Sequence, residues 1–190
     1  VEIDLWASIE AAATKPFGFQ AFRPGPGVGG HCIPIDPNYL SWVAKRVGYR
    51  LRFVELAEEV SERMPAYVAR RIQDSLNRIS RPLNGSDVVL AGVSYKANVS
   101  DQRETPAKPL VAHLRAMGAN VSYVDSHVDG FVVAGIEVPK IRELDEAARS
   151  ADIVVLLQAH DEFLEQDALV KAHLILDTSG HLTGDNVERL

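Results

Sequence analysis

DVVLAGVSYKANVSDQRETPAKPLVAHLRAMGANVSYV, residues Asp87 to Val124, is the stretch that sets the architecture of this 190-residue chain. Asp87 to Ala91 is a short apolar run with the β-branched content of a buried strand. Asn120 to Val124 is another. Between them Thr105 to Met117 reads as a helix. Thr105 is its N-cap, Pro106 sits at the first position where a missing N–H costs nothing, and Gly118 follows the last turn. Strand, helix and strand in that order make a βαβ unit, which joins parallel strands. The loop from Gly92 to Pro106 is longer than a usual connection of this kind. It lies at the carboxyl edge of the sheet, where such folds bind their ligands.

The same alternation continues downstream. Ile141 to Arg149 reads as a helix, Asp152 to Leu157 as a strand and Leu174 to Leu176 as another, which gives a small Rossmann-like parallel sheet. Upstream, RPLNGS (Arg81 to Ser86) clusters Pro, Asn and Gly between two periodic regions and marks a boundary. Before it, Ile3, Leu5, Trp6, Ile9 and Ala12 place a helix over Val1 to Ala13, and Asn38 to Val47 reads as a second. From Phe53 an apolar stripe runs through Leu56, Val60, Met64, Val68, Ile72 and Leu76 to Ile79, as one long helix or as two divided at Pro65. The expected fold class is α/β: a helical central segment over residues 1–82, followed by the Rossmann-like sheet domain over 83–190.

Composition narrows the partners. A net charge of −6 argues against a general nucleic-acid binder, which needs a basic face, although a few local cations suffice for one bound nucleotide. A single cysteine excludes an internal disulfide, and no Cys/His cluster has zinc-site spacing, so no metal is expected. No apolar run reaches the length of a membrane span and no signal-peptide pattern opens the chain, so neither a membrane nor export is expected. The expected compartment is the reducing cytoplasm.

RPGPGVGGHCIPID, Arg23 to Asp36, holds the one cysteine. Its glycines and prolines suit neither a helix nor a strand interior. They suit a loop that brings bare backbone N–H groups up to a ligand. Cys32, directly after Gly27, Val28, Gly29, Gly30 and His31, would be placed to attack what that backbone holds, with Asp36 near enough to influence a proton there. The plain alternative is that Cys32 is a small buried hydrophobe. In the long loop of the sheet domain, Lys96 and Arg103 put two cations near a helix start, a suitable place for phosphates, although a solvated charged loop would look the same.

Pro24 to Pro37, PGPGVGGHCIPIDP, resembles the cysteine loop of the UDP-glucose/GDP-mannose dehydrogenase family. Tyr95-Lys96 followed by Asp101-Gln102-Arg103-Glu104-Thr105-Pro106 resembles that family's nucleotide-binding signature. The resemblance implies an NAD-dependent oxidation of the C6 alcohol of a nucleotide sugar to the acid, through a thiohemiacetal and thioester on Cys32. It implies Asp36 in proton transfer, the Gly27–Gly30 backbone on the sugar, Tyr95 and Lys96 at the substrate, and Arg103 in a structural or phosphate-side place. It also implies a homodimer through the central helix. GGHC with His31 and Ile35, where the UDP-glucose branch has serine and lysine, looks most like the branch acting on UDP-N-acetylhexosamines. TKPFGF (Thr14 to Phe19) looks like its UDP-N-acetylglucosamine group. UDP-glucose and UDP-N-acetylmannosamine are the alternative substrates.

Two departures qualify the match. Ser179, in Asp177-Thr178-Ser179-Gly180, stands where the family has an arginine near the UDP. No G-x-G-x-x-G follows a strand, and Val1 falls inside a helix. The main NAD site and two further catalytic residues are therefore expected upstream of Val1, the chain being the carboxy-terminal part of a larger enzyme and inactive by itself. The rival readings are a non-catalytic nucleotide-sugar-binding or dimerisation module, and another NAD-linked oxidoreductase of similar build. His160, lacking an evident partner in the sequence, is expected to be structural.

Overall fold

The computed structural model describes residues 3–165 and 169–190. Val1 and Glu2, which the sequence assigns to the first helix, lie outside them. Helix α1 spans Leu5–Ala13 and starts at Asp4, whose carboxylate accepts the Ala7 N–H at 3.0 Å. Helix α2 spans Asp36–Arg46, with Pro37 in its first turn. The stripe from Phe53 to Ile79 forms one helix, α3, running from Arg52 to Arg78 with Pro65 inside it.

Burial divides α3 in two. Its buried residues all fall between Pro65 and Leu76, α1 contributes none, and α2 contributes only Ser41. The first half of α3 therefore lacks a core of its own, and Phe53 is 89% exposed. The second half is the roof of the sheet domain. Val68, Ala69, Ile72 and Leu76 join the same core cluster as the strands and the following helix.

The sheet has five parallel strands: β1 (Asp87–Ala91), β2 (Asn120–Val124), β5 (Ile153–Leu156), β6 (Ile175–Asp177) and β7 (Val187–Arg189), in the order β2-β1-β5-β6-β7. Helix α4 (Ala107–Ala116) crosses from β1 to β2, and α5 (Leu144–Ser150) returns past β1 to β5. A two-stranded hairpin, β3 (Val132–Val133) with β4 (Ile136–Glu137), decorates the second crossover, and the short helix α6 (Asp161–Glu165) follows β5 on the way to β6. Successive residues of β1 point to opposite layers. Val88 and Leu90 pack under α3 and α4 with Leu110 and Leu114, while Val89 and Ala91 pack against Ala147, Ala148 and Phe163. Both faces are covered, so β1 reads as a continuous apolar run rather than an alternating one.

The helix read from Thr105 begins at Ala107, with Pro106 rather than Thr105 at its N-cap. Thr105 Oγ1 accepts the Ala107 N–H at 3.3 Å and also donates to Val93 O at 2.9 Å. The helix read over Ile141 to Arg149 begins only at Leu144. Its first residues stay extended because β2 claims their backbone: Ile141 N donates to Tyr123 O at 2.7 Å. β3, β4, α6 and β7, each of two to five residues, were too short to carry a period. The strand order reverses between β1 and β5, which puts the ligand crevice of such a sheet at their carboxyl ends.

Candidate functional site

The glycine loop docks where α3 has lost a donor. Pro65 has no N–H for the Ser61 carbonyl one turn earlier. Gly27, at φ +131°, backs onto that carbonyl so closely that a Cβ would stand 3.4 Å from Ser61 O and 3.3 Å from Pro106 Cβ. Val28 N then donates to Ser61 Oγ at 3.1 Å. Gly29 and Gly30 face the other way, onto the long loop of the sheet domain. A Cβ on Gly29 would meet Tyr95 Cβ at 2.8 Å and Glu104 O at 2.9 Å, and one on Gly30 would meet the Tyr95 ring at 3.0 Å. Gly30 N donates to Arg103 O at 3.1 Å, so the two loops share a backbone hydrogen bond.

Cys32 emerges from this contact with its side chain exposed. Its carbonyl accepts the N–H groups of Ile35 at 3.1 Å and Asp36 at 2.8 Å, a turn that leads into α2 and fixes Asp36 one turn past the cysteine. The buried-hydrophobe reading of Cys32 does not hold. Gly27, Val28, Gly29, Gly30, Cys32, Tyr95 and Arg103 are brought together. Lys96 lies exposed on the same loop, with no ion pair among the described residues.

Electrostatics tie the two loops further. Arg103 forks onto Asp101, with Nε at 3.0 and 2.9 Å from its two oxygens and Nη2 at 2.5 Å from Oδ2. The Arg103 hydrogen bonds hold the Asp101 carboxyl down at about 2, with a smaller contribution from His31. The Asp101 partner raises the Arg103 pKa, and Tyr95 and Cys32 add to that. Arg103 thus joins the two loops electrostatically as well as through its backbone carbonyl.

The long loop is pinned from below. Gln158 Nε2 donates to Tyr95 O at 3.2 Å, Asn98 N donates to His160 Nδ1 at 2.7 Å, and Val93 N donates to Asp125 Oδ2 at 2.8 Å. Burial would raise the Asp125 pKa, but hydrogen bonds from His160 and from the Val93 N–H outweigh it and hold the carboxyl below its ordinary value. Sequence reading saw none of these three partners. The one available signal was an acidic residue directly after β2.

The turn after β6 closes on itself. The buried Asp177 carboxylate accepts from Ser179 N and Oγ, from Gly180 N and from Leu182 N. Ser179 thus points inward, and the nearby cation is Arg189, which pairs in register with Asp177. Trp6 of α1 covers Gly180, where a Cβ would lie 2.4 Å from the indole, and Trp6 Nε1 donates to Leu190 O at 3.2 Å.

A dinucleotide does not fit the first βα turn of this sheet. Gly92 carries φ +80°, but Gln158 fills the space where a cofactor would approach: a Cβ there would stand 2.7 Å from Gln158 O. Thr105 Oγ1 already accepts the Ala107 N–H at the start of α4. An apolar groove of about 770 Å³ opens beside the cysteine loop, lined by Ile33, Ile35, Phe53, Ala57 and Pro109 among others. Among the described residues no helix is long and apolar enough to cross a membrane.

Comparison with known proteins places this geometry. Residues 1–63 match the central domain of the UDP-glucose/GDP-mannose dehydrogenase family, and residues 89–184 match that family's UDP binding domain. A UDP-N-acetyl-D-mannosamine dehydrogenase of Methanocaldococcus jannaschii is 33% identical over 197 residues, covering 100% of this chain and 42% of the relative. An NDP-N-acetyl-D-galactosaminuronic acid dehydrogenase of Ralstonia solanacearum is 31% identical over 182 residues, covering 95% of this chain and 41% of the relative. The chain thus spans about two fifths of the length of the curated relatives it matches. Among solved structures, the UDP-N-acetyl-mannosamine dehydrogenase Cap5O of Staphylococcus aureus superposes with a TM-score of 0.73 at 27% identity, over 98% of this chain and 42% of that one. The UDP-D-ManNAc dehydrogenase of Pyrococcus horikoshii shares the fold with a TM-score of 0.82 at 24% identity, over 98% of this chain and 44% of that one.

Proposed function

Because this chain belongs to the UDP-glucose/GDP-mannose dehydrogenase family, we propose that it supplies the nucleophile and the nucleotide-binding half of a UDP-sugar 6-dehydrogenase. The observation that carries this reading is the junction of Gly29 and Gly30 with Tyr95 and Arg103, directly before the exposed Cys32. Residues 1–82 act as the central and dimerising part and 83–190 as the UDP-sugar-binding part. NAD, which accepts hydride when bound, is held by residues outside this chain.

In this scheme the Gly27–Gly30 backbone, with Val28, lines the sugar, and Tyr95 and Lys96 reach it from the sheet domain. Cys32 Sγ bonds to the C6 carbonyl carbon, whose oxygen takes a proton to give a thiohemiacetal. From the thioester oxidation level, water adds to C6, Asp36 takes its proton, the C–S bond breaks and the carboxylate leaves. Arg103 has a structural or phosphate-side role at the loop junction. The exposed apolar residues of α2 and the first half of α3, Trp42 and Phe53 among them, form the homodimer contact. The working compartment is the cytoplasm, and the chain by itself does not turn over.

The substrate is a UDP-N-acetylhexosamine. His31 and Ile35 favour that branch and TKPFGF narrows it to UDP-N-acetylglucosamine, while the names of the relatives support UDP-N-acetylmannosamine as the second reading. The test is kcat/KM for these two, UDP-N-acetylgalactosamine and UDP-glucose in the complete protein. The expected order puts UDP-N-acetylglucosamine first. Preference for UDP-N-acetylmannosamine would move the assignment within the branch, and preference for UDP-glucose would overturn the branch.

A further inference from the structure

His160 is wholly buried, and its two ring nitrogens join the loop that carries Tyr95 and Lys96, through the Asn98 N–H, to Asp125 at the end of β2.

 

The roles of its two nitrogens follow from their partners. The Asn98 backbone N–H can only donate, so Nδ1, at 2.7 Å, is unprotonated and accepts. The proton then sits on Nε2 and is donated to Asp125 Oδ2 at 3.2 Å. Asp125 is itself saturated: Oδ2 also accepts the Val93 N–H, and Oδ1 accepts the His127 and Val128 N–H groups at 2.8 and 3.1 Å. The loop returns the contact, since Asn98 Oδ1 accepts the Asp161 N–H at 3.1 Å. Asn98 holds a left-handed backbone, φ +61°, to make both bonds. The rings of His127 and Phe163 pack on the imidazole with centroids at 4.8 and 5.3 Å. Asp125 and His127 are the titratable groups that face it.

We propose that His160, in its Nε2–H form, is a positioning residue: it clamps the Asn98 turn against the end of β2 and so holds Tyr95 to Arg103 in the arrangement that receives the nucleotide. This inference rests on the reading of that loop as the nucleotide site. It assigns His160 no contact with substrate. Its contribution is to order the loop in advance, so that binding does not have to pay for the ordering.

Two substitutions separate the two nitrogens in this chain. His160→Asn places an acceptor where Nδ1 meets Asn98 and gives up Asp125, whereas His160→Gln places a donor toward Asp125 and gives up Asn98. Amide hydrogen exchange over Tyr95 to Arg103 should speed up about tenfold in His160→Gln, as expected for one lost buried hydrogen bond. It should return most of the way toward the parent rate in His160→Asn, with β1 and β5 amides unchanged in both. Unchanged loop exchange in His160→Gln overturns the proposal, and so does acceleration shared equally with β1 and β5. If neither variant folds, Asn98→Gly keeps the left-handed backbone, removes the bond to Asp161 N, and must show the same loop-confined acceleration. UDP titration separates the two readings. A parent chain that binds UDP while His160→Gln binds it equally well sinks the positioning role and leaves the nucleotide site standing. A parent chain that does not bind UDP sinks the nucleotide site, and loop exchange still decides the clamp.

Discussion

Gly29 and Tyr95 meet with no room for a side chain between them: a Cβ on Gly29 would stand 2.8 Å from Tyr95 Cβ. The contact joins the cysteine loop to the sheet domain. Gly29→Ala must therefore push the loops apart, with Glu104 O blocking the alternative direction at 2.9 Å. The expected cost is about 1–3 kcal/mol, the range for overpacking, read as a lower midpoint in urea. Gly25→Ala is the control, since nothing lies within 4 Å of its added methyl. Equal midpoints for the two variants would show that the loops are not packed as described.

Asp101 should titrate at about 2 rather than near its ordinary value of 3.8, chiefly because Arg103 donates to it. Its folded pKa is depressed, so its contribution to stability is present above the ordinary value and is lost as pH falls through about 2. A carbon-detected NMR titration of the carboxyl reads this directly. In Arg103→Ala the midpoint should climb back toward 3.8. A midpoint that ignores the substitution would dissolve the pair.

Lys96→Ala should weaken UDP binding about fivefold to tenfold through the loss of a charge-assisted contact. Melting should not move, because the side chain is exposed and makes no ion pair among the described residues. Calorimetry on the chain checks the first point and a thermal melt the second. UDP affinity equal to that of the parent would remove Lys96 from the site.

Cys32→Ser in the complete protein should abolish formation of the uronic acid, since a serine hydroxyl without an activating base is a poor nucleophile. The folded chain should tolerate the change, because the thiol is exposed. Mass spectrometry of the products decides it. Normal yield of the acid would refute covalent catalysis by this residue.

The two halves of α3 should respond differently to truncation. Ile72→Ala, at a fully buried position, should cost about 2–5 kcal/mol. Phe53→Ala, at a position 89% exposed, should leave the unfolding of the single chain within about 0.5 kcal/mol and weaken self-association instead. Sedimentation at several concentrations reads the second effect. Association that is indifferent to Phe53 would remove it from the dimer contact.

Local chemistry made much of this molecule legible in one dimension. The β1–α4–β2 unit is encoded by neighbours in sequence: an apolar strand, a Thr105-Pro106 helix start, a glycine stop and a second apolar strand. The cysteine loop could be read as a loop for the same reason, since glycine and proline act on their own backbone. The weaker elements escaped because β3, β4 and β7 are too short to show a period, and Ile141 is extended only because Tyr123 holds it.

What the sequence determined by itself was therefore the kind of fold and the loop character of the segment around Cys32, both written in short-range patterns. Tertiary structure alone decided which of those residues meet. Pro65 leaves a carbonyl that receives Gly27, Tyr95 closes on Gly29, and Arg103 turns its side chain to Asp101. The buried clamp of Asp125, Asn98 and His160 was equally hidden, because its members stand on three separate crossovers and share no spacing. Contacts of that kind depend on how the crossovers stack over the sheet, a property of packing that no local propensity records.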